Sequence, residues 1–90
     1  MPHESKEEEQ RRQGNETRWA TIGREIADGH NRAAYMREAA ILREQEQSSA
    51  DRATQFAALA RQIGDGINSG QDVLPLMNSL VTLRQREIRG

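Results

Sequence analysis

The feature of this sequence that most constrains its fold is a series of apolar and small residues spaced by three and four positions. The series consists of Trp19, Ile22, Ile26, Gly29, Ala33, Met36 and Ala40. Residues at this spacing lie on one side of an α-helix, which turns once in ~3.6 residues. No apolar stretch alternates with period two, the pattern of a half-buried strand. The sequence therefore predicts an all-α protein.

The same spacing predicts one long first helix over about residues 17–47. Gly29 costs ~1 kcal/mol in a helix interior, but beside Ala33 it would let another helix approach closely. The second half of this helix carries a further apolar face on its opposite side, formed by Tyr35, Ala39 and Leu42. We interpret this second face as a partner-binding surface, with ordinary core packing as the alternative. Under that interpretation, Leu42→Glu abolishes association and leaves the fold intact.

Two shorter helices are predicted over about residues 51–69 and 72–88. The first has Ser48 or Ser49 as N-cap and Gly70 as its stop, although it could also end at Gly64. The second has Asp72 as N-cap and Pro75 in its first turn. Its apolar arc spans about half of the circumference, which predicts that this last helix is the centre of the core. The expected fold is a helical hairpin or a three-helix bundle.

Residues 1–14 are charged and carry no apolar run, so we expect a mobile arm ahead of a single helical domain over residues 15–90. Apolar residues make up 34% of the chain, below the ~45–50% of ordinary globular domains. So little apolar surface stabilises a monomer poorly. A homodimer, or a complex with a protein partner, is the simplest remedy.

Composition and spacing also bear on chemistry and location. The chain has no cysteine and a formal net charge of −1, which excludes thiol chemistry and gives no overall attraction to nucleic acids or anionic membranes. His30 lacks a ligating side chain four residues away on either side, so we interpret it as a partly buried, hydrogen-bonded histidine. We expect no catalytic residues, metal or cofactor. With no secretory signal or apolar span, a cytoplasmic location is expected.

Three functional hypotheses remain. The first is a protein-interaction module, such as an adaptor, chaperone or steric inhibitor, of the kind common in bacteria and phages. The second is a DNA-associated regulator, because Ala60 and Gly64 have the spacing of a helix-turn-helix, and Arg84, Arg86 and Arg89 could contact phosphates. The third is a structural subunit of a larger assembly. The lack of catalytic and nucleic-acid-binding patterns favours the first.

Overall fold

The computed structural model describes residues 6–46 and 54–90, with side chains from residue 14 onward in the first of these ranges. Four helices form these ranges: α1 Lys6–Asp28, α2 Arg32–Gln45, α3 Gln55–Asn68 and α4 Leu74–Arg89. No strand occurs in this part of the chain, and none of its helices is long and apolar enough to cross a membrane. The all-α prediction is confirmed, but the expectation of three helices is wrong.

The additional helix arises from a break in the middle of the predicted first helix, at residues 29–31. Gly29 has φ +83° and Asn31 has φ +47°, both in the left-handed region. The amide of Gly29 donates to the Ile26 carbonyl at 3.2 Å, and the amide of His30 donates to the Glu25 carbonyl at 3.0 Å. This pair of bonds is the Schellman motif that ends helices at glycine. Gly29 therefore ends α1 instead of lying inside a longer helix.

The remaining boundaries differ from the predictions by several residues. The first helix begins at Lys6 rather than near Thr17, so its backbone includes part of the predicted arm; the mobility of that arm stays a prediction. The N-cap of α3 is Thr54, whose hydroxyl accepts from the Ala57 amide at 3.2 Å. The predicted caps, at residues 48 and 49, lie outside the described residues. Compared with the prediction, α1 therefore starts earlier and α3 starts later in the chain.

The predicted ends of the last two helices agree better with the structure. Gly70, at φ +71°, terminates α3 just after its last residue, as predicted. The helix therefore continues past Gly64, and the shorter alternative is wrong. The carboxylate of Asp72 accepts from the Leu74 amide at 3.0 Å, and Pro75 lies in the first turn of α4. Gly70 is thus confirmed as the stop of α3, whereas the N-cap of α4 is Val73, one residue after the predicted Asp72.

The core lies between α1 and α3, each of which packs against the other three helices. Within the described ranges α2 and α4 do not contact each other. The largest fully buried side chains are Trp19, Ile22, Ile26, Ile63 and Leu80. Only Leu80 among them belongs to α4, so the prediction that the last helix forms the centre of the core is wrong. Three of these five side chains belong to α1 and one to α3, so the centre of the core lies at the contact between those two helices.

Gly64 allows α2 to pack closely against α3. A Cβ added at Gly64 would lie 2.6 Å from the backbone oxygen of Ala39 in α2, well inside van der Waals contact. Gly23 plays the same part between α1 and α3, where an added Cβ would lie 2.8 Å from the Phe56 oxygen. The close helix approach predicted for Gly29 occurs instead at these two glycines.

Candidate protein interface

The inner face of α2 consists of Tyr35, Ala39 and Leu42, the residues predicted to bind a partner. Ala39 is fully buried against α3, and Tyr35 and Leu42 are half-buried against the same core. Because the chain turns at residues 29–31, this face and the face of α1 that carries Ile26 both point inward. The inner face is thus part of the intramolecular core, and any contact of Tyr35 or Leu42 with a partner stays a prediction.

The outer face of α2 consists of Ala33, Arg37, Ala40, Ile41 and Glu44, all of which are exposed except the buried Ala40. Together with the half-buried Met36 it borders a shallow groove, the α2 groove, whose far side is Ile67 and Asn68 of α3. Ile41 is 51% exposed. Of the small-residue seam predicted to pack in the core, Ala40 is buried and Met36 is half-buried against the core, whereas Ala33 is exposed.

Two opposite charges stand at the two ends of this apolar surface. Arg37 and Glu44 are exposed, and neither has an ion-pair partner among the residues that the structure describes. Their neighbours differ in this respect: Glu38 pairs with Arg18, and Arg43 pairs with Asp65 at 2.7 Å. The outer face therefore combines an exposed isoleucine with two charges that no described residue pairs.

A buried ionic cluster joins the C-terminal end of α2 to α1 and α3. Glu46 accepts hydrogen bonds from Trp19 Nε1 at 2.6 Å, from Arg43 Nη1 at 2.8 Å and from Arg61 Nε at 2.8 Å. Arg61 also pairs with Glu16 and lies over the Trp19 ring, 5.3 Å from its centroid. Every buried side-chain nitrogen and oxygen in the described residues has a partner. This cluster fixes helix positions and offers no open site.

Arg61 keeps its charge in this cluster although its side chain is only 8% exposed. Burial by itself lowers the pKa of the guanidinium, but the hydrogen bonds to Glu16 and Glu46 outweigh it, and the pKa is raised. Sequence reasoning missed this residue. Glu46 lies in a charged stretch that resembles any solvated helix end, and no local signal connects it with an arginine in the next helix.

The C-terminal arginines predicted as candidate phosphate contacts fall into two groups. Arg84 pairs with Asp28 at 3.0 Å and with Glu87, and its pKa is raised chiefly by the hydrogen bond to Asp28. Arg86 and Arg89 are exposed and have no ion-pair partner in the described chain. Two intramolecular carboxylates therefore compensate the charge of Arg84. Contact with phosphates stays a prediction for Arg86 and Arg89, whose charges no described carboxylate compensates.

The histidine and the second groove offer little further chemistry. His30 is exposed rather than partly buried, because the helix ends beside it, and its Nδ1 lies 3.2 Å from Glu25. The described residues contain no group of three or more histidine, aspartate or glutamate side chains that could hold a metal ion. Between α3 and α4 a groove is bordered by Leu59 and Leu83, but the rest of its wall is largely polar. The α2 groove is the more apolar of the two.

Comparisons with known proteins give no further assignment. No family model matches the chain, and no curated protein or solved structure matches it.

Proposed function

We propose that this chain is a small protein-interaction module that binds a protein partner through the outer face of α2 and the α2 groove. Its activity would be steric: it would block, chaperone or bridge its partner. The observation that carries the proposal is Ile41, half-exposed on a surface that also carries Ala33, Met36, Ala40 and Ile67 beside the charged Arg37 and Glu44. A cytoplasmic location remains part of the prediction.

The physical argument rests on the shape and chemistry of that surface. Alanines at positions 33 and 40 let a second helix approach the α2 backbone closely, and Ile41 supplies apolar area that association would remove from water. Arg37 and Glu44 add charges that orient a partner along the helix. Amphipathic helices commonly bind in grooves of this kind.

The DNA-associated alternative is supported by fewer residues. Of the three candidate phosphate contacts, Arg86 and Arg89 have no carboxylate partner in residues 6–46 and 54–90, whereas Arg84 pairs with Asp28. We expect random duplex to bind no more tightly than ~10⁻⁴–10⁻⁶ M at physiological salt. A sub-micromolar complex that weakens steeply with salt would favour the regulator instead. The third hypothesis, a subunit of a larger assembly, would use the same outer face.

Site-specific photocrosslinking tests the proposal directly. Ile41 is replaced by the photoreactive amino acid p-benzoylphenylalanine in cells that produce the protein, and the adducts are identified by mass spectrometry. Ile88 is the matched control, since it is an isoleucine near the end of α4 that is 69% exposed. A discrete protein adduct at position 41 but not at position 88 is the expected result. Equal labelling at both positions, or none at position 41, would refute the binding surface.

A further inference from the structure

We infer that the outer face of α2 binds the outer face of a second copy of this chain, with the two helices antiparallel about a two-fold axis between Ala40 and Ile41. This inference rests on the proposed function, because it names the partner of the same surface. It commits to self-association for reasons of charge and of shape.

The charge argument follows from the spacing of Arg37 and Glu44. Seven residues separate them, which is about two helical turns or ~10 Å along one side of the helix. Their midpoint lies between Ala40 and Ile41. An antiparallel pair centred there brings Arg37 of one copy level with Glu44 of the other. The two-fold axis repeats this contact, so two charges that have no ion-pair partner among the described residues gain one on each chain.

The alternative arrangement of two identical helices lacks this match. A parallel pair would place Arg37 beside Arg37 and Glu44 beside Glu44, and like charges across an interface disfavour association. The antiparallel pair is self-complementary because the surface carries one charge of each sign, placed symmetrically about its apolar middle.

The shape argument concerns the two residues at the axis. Ala40 is small and 9% exposed, whereas the neighbouring Ile41 is 51% exposed and projects outward. In the antiparallel pair, Ile41 of one copy lies beside Ile41 of the other on one side of the axis, and the small Ala40 residues on the other side let the two helices approach closely. Each isoleucine is thereby removed from water by its counterpart.

Charge-swap variants test the inference by sedimentation equilibrium. The wild-type chain is expected at twice its 10.2 kDa mass at about 100 µM. Arg37→Glu and Glu44→Arg each place like charges together twice, and each should raise the dimer dissociation constant by about tenfold or more. The double variant restores opposite charges and should dimerise. Mixing the two single variants should form a heterodimer of nearly wild-type affinity, because each supplies what the other lacks.

Controls separate this result from a loss of folding. Circular dichroism checks helicity in each variant. Arg86→Glu is a control for the charge change, because Arg86 lies on α4, is exposed and has no ion-pair partner among the described residues. It should leave the dimer unchanged. A monomeric wild-type chain at about 100 µM, or single variants that stay unrescued on mixing, overturns the inference. A crosslink from position 41 to a different protein would overturn it too, while leaving the proposed function standing.

Discussion

Both the inner and the outer face of α2 carry apolar residues, but the inner face packs against the core and the outer face is largely exposed. Leu42 and Ile41 are neighbours in sequence, yet Leu42 packs against the core and Ile41 is 51% exposed. Ala39 is fully buried, whereas Ala33 of the outer face is exposed. Apolarity alone therefore does not decide which side of a helix is buried. The direction in which the chain enters the helix decides it.

The largest expected effect is on stability, and it distinguishes two glutamates near the C-terminal end of α2, Glu46 and Glu44. Glu46→Ala removes the acceptor shared by Trp19, Arg43 and Arg61 and leaves Arg61 buried with only Glu16. We expect the free energy of unfolding to fall by about 3 kcal/mol, measured by urea titration at concentrations where the chain is monomeric.

Glu44→Ala is the matched control, because this carboxylate is exposed and unpaired within the described chain. Its unfolding free energy should change by no more than ~0.5 kcal/mol. Equal losses in the two variants would show that the cluster around Glu46 contributes nothing beyond ordinary helix effects.

The second expected effect compares the two neighbouring apolar residues directly. Leu42→Glu places a carboxylate against the core and should lower the free energy of unfolding by about 2 kcal/mol. Ile41→Glu should change it by no more than ~0.5 kcal/mol and should instead abolish association. Thermal melting at low concentration, with light scattering at high concentration, separates the two quantities. A folded, stable Leu42→Glu chain that no longer associates would restore the original interpretation of the inner face.

The smallest expected effect concerns an exposed carboxylate that, like Glu46, bonds two arginines. Glu87 accepts from Arg24 at 3.2 Å and also from Arg84, and its pKa is lowered chiefly by the hydrogen bond with Arg24. Because the pKa of Glu87 is lower in the folded than in the unfolded chain, its ionised carboxylate stabilises the fold at pH values above the unfolded pKa of 4.5. This stabilisation is lost as the pH falls through the folded-state pKa.

Glu87→Gln should therefore be slightly less stable than the wild type at pH 7, and the difference should vanish in acid. Urea unfolding of both proteins from neutral pH down to below pH 4 measures it. A difference that grows on acidification would contradict the assignment. A loss as large as that of Glu46→Ala would show that burial of the carboxylate does not matter.

The sequence predicted what depends on neighbours in the chain. The burial of Trp19 and Ile26 follows from helical spacing, and Gly70 follows from the preference of glycine for the left-handed conformation. The break at Gly29 was missed, although Gly29 and Asn31 are the two residue types that adopt positive φ most easily. A periodic pattern that continues through a glycine does not reveal whether the helix continues too.

The candidate surface was only half predictable. Tyr35, Ala39 and Leu42 were assigned to a partner surface from the sequence but pack against the core, and the exposed Ile41 was not singled out. The partners of Arg61 in the buried cluster lie 15 and 45 residues away in sequence, so no local pattern could have revealed it. That Arg37 and Glu44 have no ion-pair partner among the described residues is likewise a property of the folded chain.

By itself, then, the sequence determined that this protein is helical, which residues on each helix are apolar, and where α3 ends. Those features arise from spacing and from backbone preferences within a few residues. The tertiary structure decided which face of α2 is buried, because two residues with positive φ reverse the chain and Gly64 lets α2 approach α3 closely. A turn of three residues thus places Tyr35, Ala39 and Leu42 against the core and leaves Ile41 at the surface.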